Sequence, residues 1–441
     1  MTSIVSPRNP PRRRGTCPGV LAPMEVGDGF LLRVRVPAGV LPAEHARRIA
    51  ELGDRYGNGL VDLSHRGNLQ LRGIPADGLE PVTDALRAMG YVADDAASEA
   101  VRNVLCAPTA GLGGAVDVRP VARALDARLA GDPALHRLPP KFGWLVCGGG
   151  TAHLGMSSTD VRFDAVDAEW LRVSLGGTLA EAAPLGLCRA TDVPEVASAL
   201  GRAFLELRAT FAEPPRRMAG LVAAVGGEPF QERLSPWLSP LPPGERVRVR
   251  GNRPPDIFGF AEPPHPDLLP RGEKETKKWL AVAFPFGRLT CATLAALAGL
   301  TAELRLTPWR ALLLVDPVPD AAHTATALGG ILASGDRRLK LTACSGIGGC
   351  DVGTTDTHAT ALAVAERAGP LLDHARMVHV SGCAKGCAHP GAADVTLTAR
   401  DGVYDVALNA KPGAPAWRAG LSPDDAVACV AGLSAEELSG A

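Results

Sequence analysis

The octapeptide Val34-Arg-Val-Pro-Ala-Gly-Val-Leu41 is answered late in the chain by Val282-Ala-Phe-Pro-Phe-Gly-Arg-Leu289. Each is followed by a helical pattern and then two short strands. Asp62-Leu-Ser-His-Arg66 finds a counterpart in Leu306-Thr-Pro-Trp-Arg310, four residues short of the first register. Two motifs repeated in the same order indicate an internal duplication.

Around the first copy, Phe30–Val36 is apolar-rich and β-prone, and Pro42–Tyr56 has helical spacing through Ala46, Ile49, Ala50 and Leu52 before Gly57 stops it. Leu60–Leu63 and Leu69–Ile74 read as strands and Gly78–Met89 as a second amphipathic helix. The order β-α-β-β-α resembles a ferredoxin-like half-sandwich. Residues 21–90 and 275–334 are expected to form two such half-domains, followed by larger α/β domains at 95–212 and 335–441. Within these, Arg119–Leu129 and Pro194–Phe211 have helical periodicity, the latter opened by Asp192 and Glu195 in capping-box spacing. Thr354–Ala368 reads as a helix and Met377–Val380 as a strand. Val395–Thr398 and Val403–Leu408 read as a hairpin turned at Asp401-Gly402. Residues 213–274 hold Pro214-Pro215, Pro242-Pro243, Pro254-Pro255 and Pro263-Pro264, and read as a long surface linker. The expected class is α+β with a duplicated architecture.

The 441 residues are 46% hydrophobic, enough for sizeable cores. Lys and Arg number 46 against 47 Asp and Glu, so anion recognition has to be local, and a general polyanion binder is disfavoured. At 4% aromatic residues, base stacking on single-stranded nucleic acid is disfavoured as well. No run approaches the roughly 20 apolar residues of a membrane span. Residues 1–20 carry Arg8, Arg12, Arg13 and Arg14 among prolines without an apolar core, and read as a flexible basic tail of a cytoplasmic protein.

Four of the ten cysteines fall within residues 344–387, as Cys344-Ser-Gly-Ile-Gly-Gly-Cys350 and Cys383-Ala-Lys-Gly-Cys387. In a reducing compartment, paired cysteines more often bind metal or do redox chemistry than form disulfides. Zinc prefers C-x2–4-C pairs, which suits the second pair but not the first. A 4Fe-4S cluster needs four thiolates at its corners and glycines that let backbone N–H groups approach the sulfurs, which suits both. A structural zinc site stays open as the alternative. Cys17, Cys106, Cys147, Cys188, Cys291 and Cys429 lack close partners and read as small buried hydrophobes.

From about Leu21 onward the sequence resembles the sulfite/nitrite reductase superfamily and, within it, the precorrin-3B synthase family. The resemblance implies that Cys344, Cys350, Cys383 and Cys387 ligate a 4Fe-4S cluster beside a tetrapyrrole site. Pocket arginines of the superfamily map to Arg33, in Phe30-Leu-Leu-Arg33, and Arg66, in Ser64-His-Arg66-Gly-Asn-Leu-Gln70. The first lysine of a Pro-x-Lys-Phe-Lys segment maps to Lys141, whereas Gly143 stands in place of the second. Arg33, Arg66 and Lys141 are thus the implied catalytic set. Two lysines beside two arginines would supply charge and protons for stripping oxygen from sulfite or nitrite, so Gly143 weighs against a reductase. Ala384-Lys385-Gly386 between the last cysteines, and His389-Pro390 after them, look like the precorrin-3B synthase version.

The implied reaction takes precorrin-3A, dioxygen and reducing equivalents to precorrin-3B, hydroxylated at C20 with γ-lactone closure. Its implied cofactors are the cluster and a mononuclear non-haem iron. No G-x-G-x-x-G fingerprint follows an expected strand, so electrons are expected from an external donor, an NADH-linked reductase or a ferredoxin. Arg33, Arg35, Arg66, Arg72, Arg102 and Lys141 are candidate contacts for the tetrapyrrole carboxylates, because the guanidinium fork binds such groups bidentately; for Arg35 and Arg72 an outward, solvent-facing strand position is the alternative. Asn68, Gln70 and Asn103 could hydrogen-bond a tetrapyrrole edge or serve turns and strand edges. His65, His358, His379 and His389 are candidate ligands of the mononuclear iron. Two other readings stay open: a siroheme-dependent sulfite or nitrite reductase, and a non-catalytic iron–sulfur carrier or zinc-stabilised binding protein.

Overall fold

The computed structural model describes residues 18–241, 259–261 and 278–439. Cys17 and nearly all of the basic tail lie outside them.

The first half opens with β1 (Met24–Val26), β2 (Gly29–Val34), β3 (Val40–Pro42), α1 (Ala43–Tyr56), β4 (Leu60–Leu63), β5 (Leu69–Ile74) and α2 (Leu79–Ala88). Alternation decides its faces: Leu32, Val34, Leu69 and Leu71 are fully buried beneath the helices, while Arg33, Gln70 and Arg72 belong to the opposite face. Next come α3 (Ala96–Val101), β6 (Val104–Cys106), α4 (Arg119–Gly131), β7 (Trp144–Cys147), β8 (Thr159–Ala165), β9 (Trp170–Gly177), β10 (Ala183–Arg189) and α5 (Val193–Arg208). Strands β6, β7 and β8 run parallel, and β9 and β10 return antiparallel.

Two further helices, α6 (Met218–Val225) and α7 (Glu228–Leu234), correct the expected linker. Met218, Leu221, Phe230 and Leu234 are fully buried in the core of the first α/β domain, so the start of that segment is structural. Most of the remainder, including the last three Pro-Pro pairs, lies outside the described residues. The expected capping box at Asp192 is not made either. A 3-10 turn, Ala190–Asp192, runs directly into α5, leaving Asp192 in a helical conformation with no side-chain cap.

The second half repeats the plan: β11 (Gly259–Ala261), β12 (Trp279–Ala283), β13 (Arg288–Thr290), α8 (Cys291–Leu297), β14 (Glu303–Leu306), β15 (Ala311–Val315) and α9 (Ala321–Ala327). Beyond them lie β16 (Leu341–Ala343), α10 (Thr357–Arg367), α11 (Gly369–His374), β17 (Val378–Ser381), β18 (Ala393–Arg400), β19 (Val403–Ala410), β20 (Arg418–Leu421) and α12 (Pro423–Ala431). Here β16, β17 and β18 are parallel and β19 and β20 antiparallel, as in the first half. The β18–β19 turn has Asp401 (φ 51) and Gly402 (φ 88) both left-handed, as a two-residue hairpin turn demands.

The two half-domains exchange a strand. β13 pairs with β4 of the first sheet, and β3 pairs with β14 of the second. The crossing point is the repeated octapeptide: Ala38 (φ 55) and Phe286 (φ 60) both take a left-handed conformation that side chains other than glycine seldom adopt. Gly39 (φ 68) and Gly287 (φ 74) complete each turn. A single apolar core spans both half-domains, with α1 against α8. Their approach needs Gly53, where a Cβ would lie 2.4 Å from Cys291 Sγ. Helix propensity alone favours Gly53→Ala by about 1 kcal/mol. The contact reverses this sign, so urea unfolding should show a net loss of about 1–3 kcal/mol, largely recovered in Gly53→Ala/Cys291→Ala.

Candidate functional site

The two cysteine loops leave the carboxyl ends of neighbouring parallel strands, the crevice where α/β sheets commonly hold ligands. β16 and β17 pair Ala343 with Val380, so Cys344 and Cys383 emerge side by side. Gly382 N–H donates to Cys344 Sγ at 3.1 Å. Gly353 packs on Gly346, where a Cβ would come within 2.6 Å of the Gly346 carbonyl carbon. Loss of solvent pushes the Cys387 thiol above its ordinary value; Lys385 opposes this, and Cys383, Cys344 and Cys350 add to it. All four thiols therefore share one electrostatic neighbourhood. Yet among the described residues no three His, Cys, Asp or Glu side chains close on a position for a single ion. A tetrahedral zinc would draw its sulfurs to about 3.8 Å from one another. A polynuclear cluster holds its thiolates farther apart, because metal and sulfide ions fill its centre.

The first half-domain holds the first cysteine loop. Arg72, 4% exposed, donates to Asp28 (3.0 and 3.2 Å), Asp62 (3.4 Å) and the carbonyl of Gly349 (2.8 Å). A Cβ on Gly27 would lie 3.0 Å from the backbone of Cys350. Arg72 therefore does not serve as the expected tetrapyrrole contact, since its guanidinium is buried and committed to this clamp.

A cross-strand row runs beside it: Arg33 is paired with Gln70, Gln70 with Asp62, and Asp62 with Arg288. With the Gln70 amide oxygen turned toward it, Arg33 donates from Nη2 (2.8 Å) and Nε (3.2 Å). Arg288 donates to both Asp62 oxygens at 2.6 and 2.9 Å. Burial raises the Asp62 carboxyl, but Arg288 and Arg72 outweigh it and leave the group below its ordinary value. His358 stacks on Phe286 at 4.5 Å and meets Arg288 Nη1 at 3.3 Å.

The remaining candidates gather around a cavity of about 380 Å³, lined by Arg66, Asn68, Arg102, Asn103, Lys141 and Gly143 together with His65, Trp309 and Arg217. No carboxylate is among its lining residues. Arg66 Nη2 donates to the carbonyl of Lys141 at 3.4 Å. Asn103 Nδ2 holds that segment through Pro140 O (3.2 Å) and Phe142 O (3.3 Å), while Lys141 itself is exposed. Asn68 closes the Ser64–Asn68 turn. Arg102 is neutralised by Asp126, at 2.9 and 2.7 Å, which removes most of its expected pull on a ligand. Arg33 and Gln70 are not among the lining residues.

The four histidines do not assemble as one set. His65 and His379 lie near Arg310 and near His389, whereas His358 sits with Arg288. His379 is fully buried, with neither ring nitrogen hydrogen-bonded, and its ring centroid lies 5.8 Å from that of His389. Burial first, then neighbouring positive charge, depresses His65, His358 and His379 to about 4 each. Cys106, Cys147, Cys188 and Cys291 are buried as expected, but Cys429 is only partly so.

Arg217, Arg288 and Arg310 escaped the sequence reading. Arg217 lies in the supposed linker. The other two could have been found from the duplication, because Arg310 answers Arg66 and Arg288 lies within the repeated octapeptide.

Residues 22–89 match the nitrite/sulfite reductase ferredoxin-like half domain. The precorrin-3B synthase of Sinorhizobium sp is 30% identical over 413 residues, covering 90% of this chain and 83% of that protein. This chain belongs to the precorrin-3B synthase family, within the nitrite/sulfite reductase superfamily. The chloroplastic ferredoxin–nitrite reductase of Zea mays is 28% identical over 406 residues, or 83% of this chain and 68% of the reductase. The structure of the Mycobacterium tuberculosis NirA protein superposes with TM-score 0.68 at 22% identity, covering 91% of this chain and 79% of its own, and shares the fold. The family is thus one of oxidoreductase-type enzymes on a duplicated α+β scaffold. No helix among the described residues is long and apolar enough to cross a membrane.

The geometry sets two expected outcomes. Arg72→Met strands Asp28 and should cost about 3 kcal/mol in chemical denaturation, whereas Arg48→Met at an exposed pair should cost at most about 1 kcal/mol. The depressed histidines stabilise the fold fully above the unfolded value near 6.5, and that contribution is lost as pH falls toward 4. His379→Asn should therefore flatten the dependence of the unfolding midpoint on pH between 6.5 and 4.

Proposed function

We propose that the protein is an oxygen-dependent precorrin-3A hydroxylase, forming precorrin-3B by hydroxylation at C20 with γ-lactone closure. The observation that carries this reading is the cavity lined by Arg66, Lys141 and Arg217 without a carboxylate, in a chain alike over most of its length to a precorrin-3B synthase. Precorrins are polycarboxylates, and a local cationic wall in a protein of net charge −1 is what such a substrate needs. Arg66 and Lys141 would bind its carboxylates. Trp309 and Trp144, which line the same cavity, would lie against the ring system of the substrate and shield that part of it from water.

Cys344, Cys350, Cys383 and Cys387 would hold a 4Fe-4S cluster, which supplies single-electron transfer when bound. One oxygen atom of dioxygen enters the product and the other leaves as water, with a pair of electrons and two protons. The electrons would come from an external donor, a ferredoxin or an NADH-linked reductase. The histidines fit a mononuclear iron poorly, because no three donors among the described residues converge, and no step is assigned to such an iron.

The alternative is siroheme-dependent reduction of sulfite or nitrite, favoured by the likeness to ferredoxin–nitrite reductase. Gly143 weighs against it, since a glycine supplies no proton.

Each cysteine-to-serine variant should lose cluster iron and sulfide; full occupancy in all four would refute the ligand set. Arg66→Ala should weaken precorrin-3A binding about ten- to a hundredfold and leave the cluster spectrum unchanged. Turnover of precorrin-3A by reduced enzyme under labelled dioxygen should place label in the product. Label from water alone, or turnover of sulfite, would establish the reductase reading.

A further inference from the structure

One buried carboxylate organises the cavity wall around the Lys141–Gly143 segment, to which Arg66 also bonds. Asp160, 1% exposed, accepts from Arg217 Nε at 3.0 Å and Nη2 at 2.9 Å, from Gly143 N–H at 2.9 Å and from Met218 N–H at 2.8 Å. It thus joins three separate stretches of chain, β8, the Lys141–Gly143 segment and the start of α6. Arg217 lines the cavity with its side chain 44% exposed. No hydrogen bond among the described residues uses its Nη1.

We propose that Arg217 is a substrate-binding residue that grips a carboxylate of the ligand with the guanidinium edge that Asp160 leaves available, Asp160 acting as its positioning residue. A guanidinium has five donors in a rigid fork, so pairing one edge with a fixed carboxylate aims the other edge and lowers the entropy lost when an anion arrives. The place it fills is otherwise bare. Gly143 shares the same carboxylate and lines the same cavity without a side chain. A Cβ there would meet Thr159 Oγ1 at 3.2 Å and otherwise only Lys141 O at 3.9 Å, so a side chain can be accommodated. Arg217 would stand with Arg66 and Lys141 as a third cation, bringing charge from the segment that follows the first α/β domain. That the anion belongs to a tetrapyrrole rests on the function proposed above.

The test uses full-length protein and uroporphyrin III, a stable octacarboxylate tetrapyrrole, with binding followed by its absorbance. Arg217→Ala should raise the dissociation constant about ten- to a hundredfold and flatten its dependence on salt. Adding Gly143→Lys to that variant returns a cation to the same patch and should recover most of the loss. Arg217→Lys keeps an ion pair to Asp160 but loses the two-edged fork. It should bind several-fold more weakly than wild type, and it decides the matter should the alanine variant unfold. Unchanged binding in Arg217→Ala, or in Arg217→Lys where the alanine variant does not fold, would overturn the assignment. So would a double variant no better than Arg217→Ala. A wild type that takes up no uroporphyrin would overturn the tetrapyrrole reading along with it, whereas tight wild-type binding that ignores position 217 would sink only the role of Arg217.

Discussion

The Arg72 guanidinium is a charge that the fold has taken out of water, and much of the architecture depends on keeping it paired. An isolated buried cation costs several kcal/mol, so Asp28, Asp62 and the Gly349 carbonyl must stay where they are. Asp28 lies in the turn between β1 and β2, Asp62 on β4, and Gly349 beside Cys350. The same set of contacts therefore fixes the face of the first sheet, the turn at its edge and the position of a cysteine loop from the other half of the chain. Arg288 extends the arrangement, because the exchanged strand β13 brings it to Asp62. Strand exchange, polar sheet face and cysteine loop are thus coupled through a few charged hydrogen bonds.

Duplication built the scaffold, and divergence of one sheet face made the site. In the first half-domain the face away from the helices carries Arg33, Gln70, Arg72 and Asp62. In the second the corresponding face carries Trp279, Ala281, Ala283 and Leu313, packed against Leu112 and Ala152 of the first α/β domain. One copy became a polar surface that receives a loop, and the other a dry interface that holds the halves together. The α/β domains diverged similarly. Cys344 and Cys383 lie one and two residues past β16 and β17, whereas the same places past the equivalent β6 and β7 hold Ala107 and Gly149, with Cys106 and Cys147 buried at the strand ends.

Alternation and helical spacing act over a few residues, so the elements of both half-domains and the final hairpin were legible from the sequence. The duplication was legible because Pro-x-Gly marks a turn wherever it occurs. Other features depend on partners far away in the chain. Arg72 has the strand position and chemistry of a ligand-binding arginine, and only Asp28, Asp62 and Gly349 reveal it as a clamp. Arg102 was obscured in the same way by Asp126. Arg217 was hidden by Pro214-Pro215, because a proline pair marks a break in the chain and gives no sign of the buried helix α6 just beyond it. Asp192 and Glu195 had the spacing of a capping box, but the preceding 3-10 turn placed Asp192 in a conformation that cannot cap.

The exchanged strands also bear on how such a chain can arise. A half-molecule folded alone would keep β4 but lack β13, leaving an unpaired sheet edge of a kind that recruits another chain. The strand that satisfies it is the one a second half would supply, and the reverse donation, β3 to β14, is made in the same act. Two separate halves would therefore form a reciprocally swapped dimer, whose stability rises and falls with protein concentration. Joining them in one polypeptide makes the association intramolecular. It also releases the copies from symmetry, so that one could acquire the paired cysteine loops without the other having to do so.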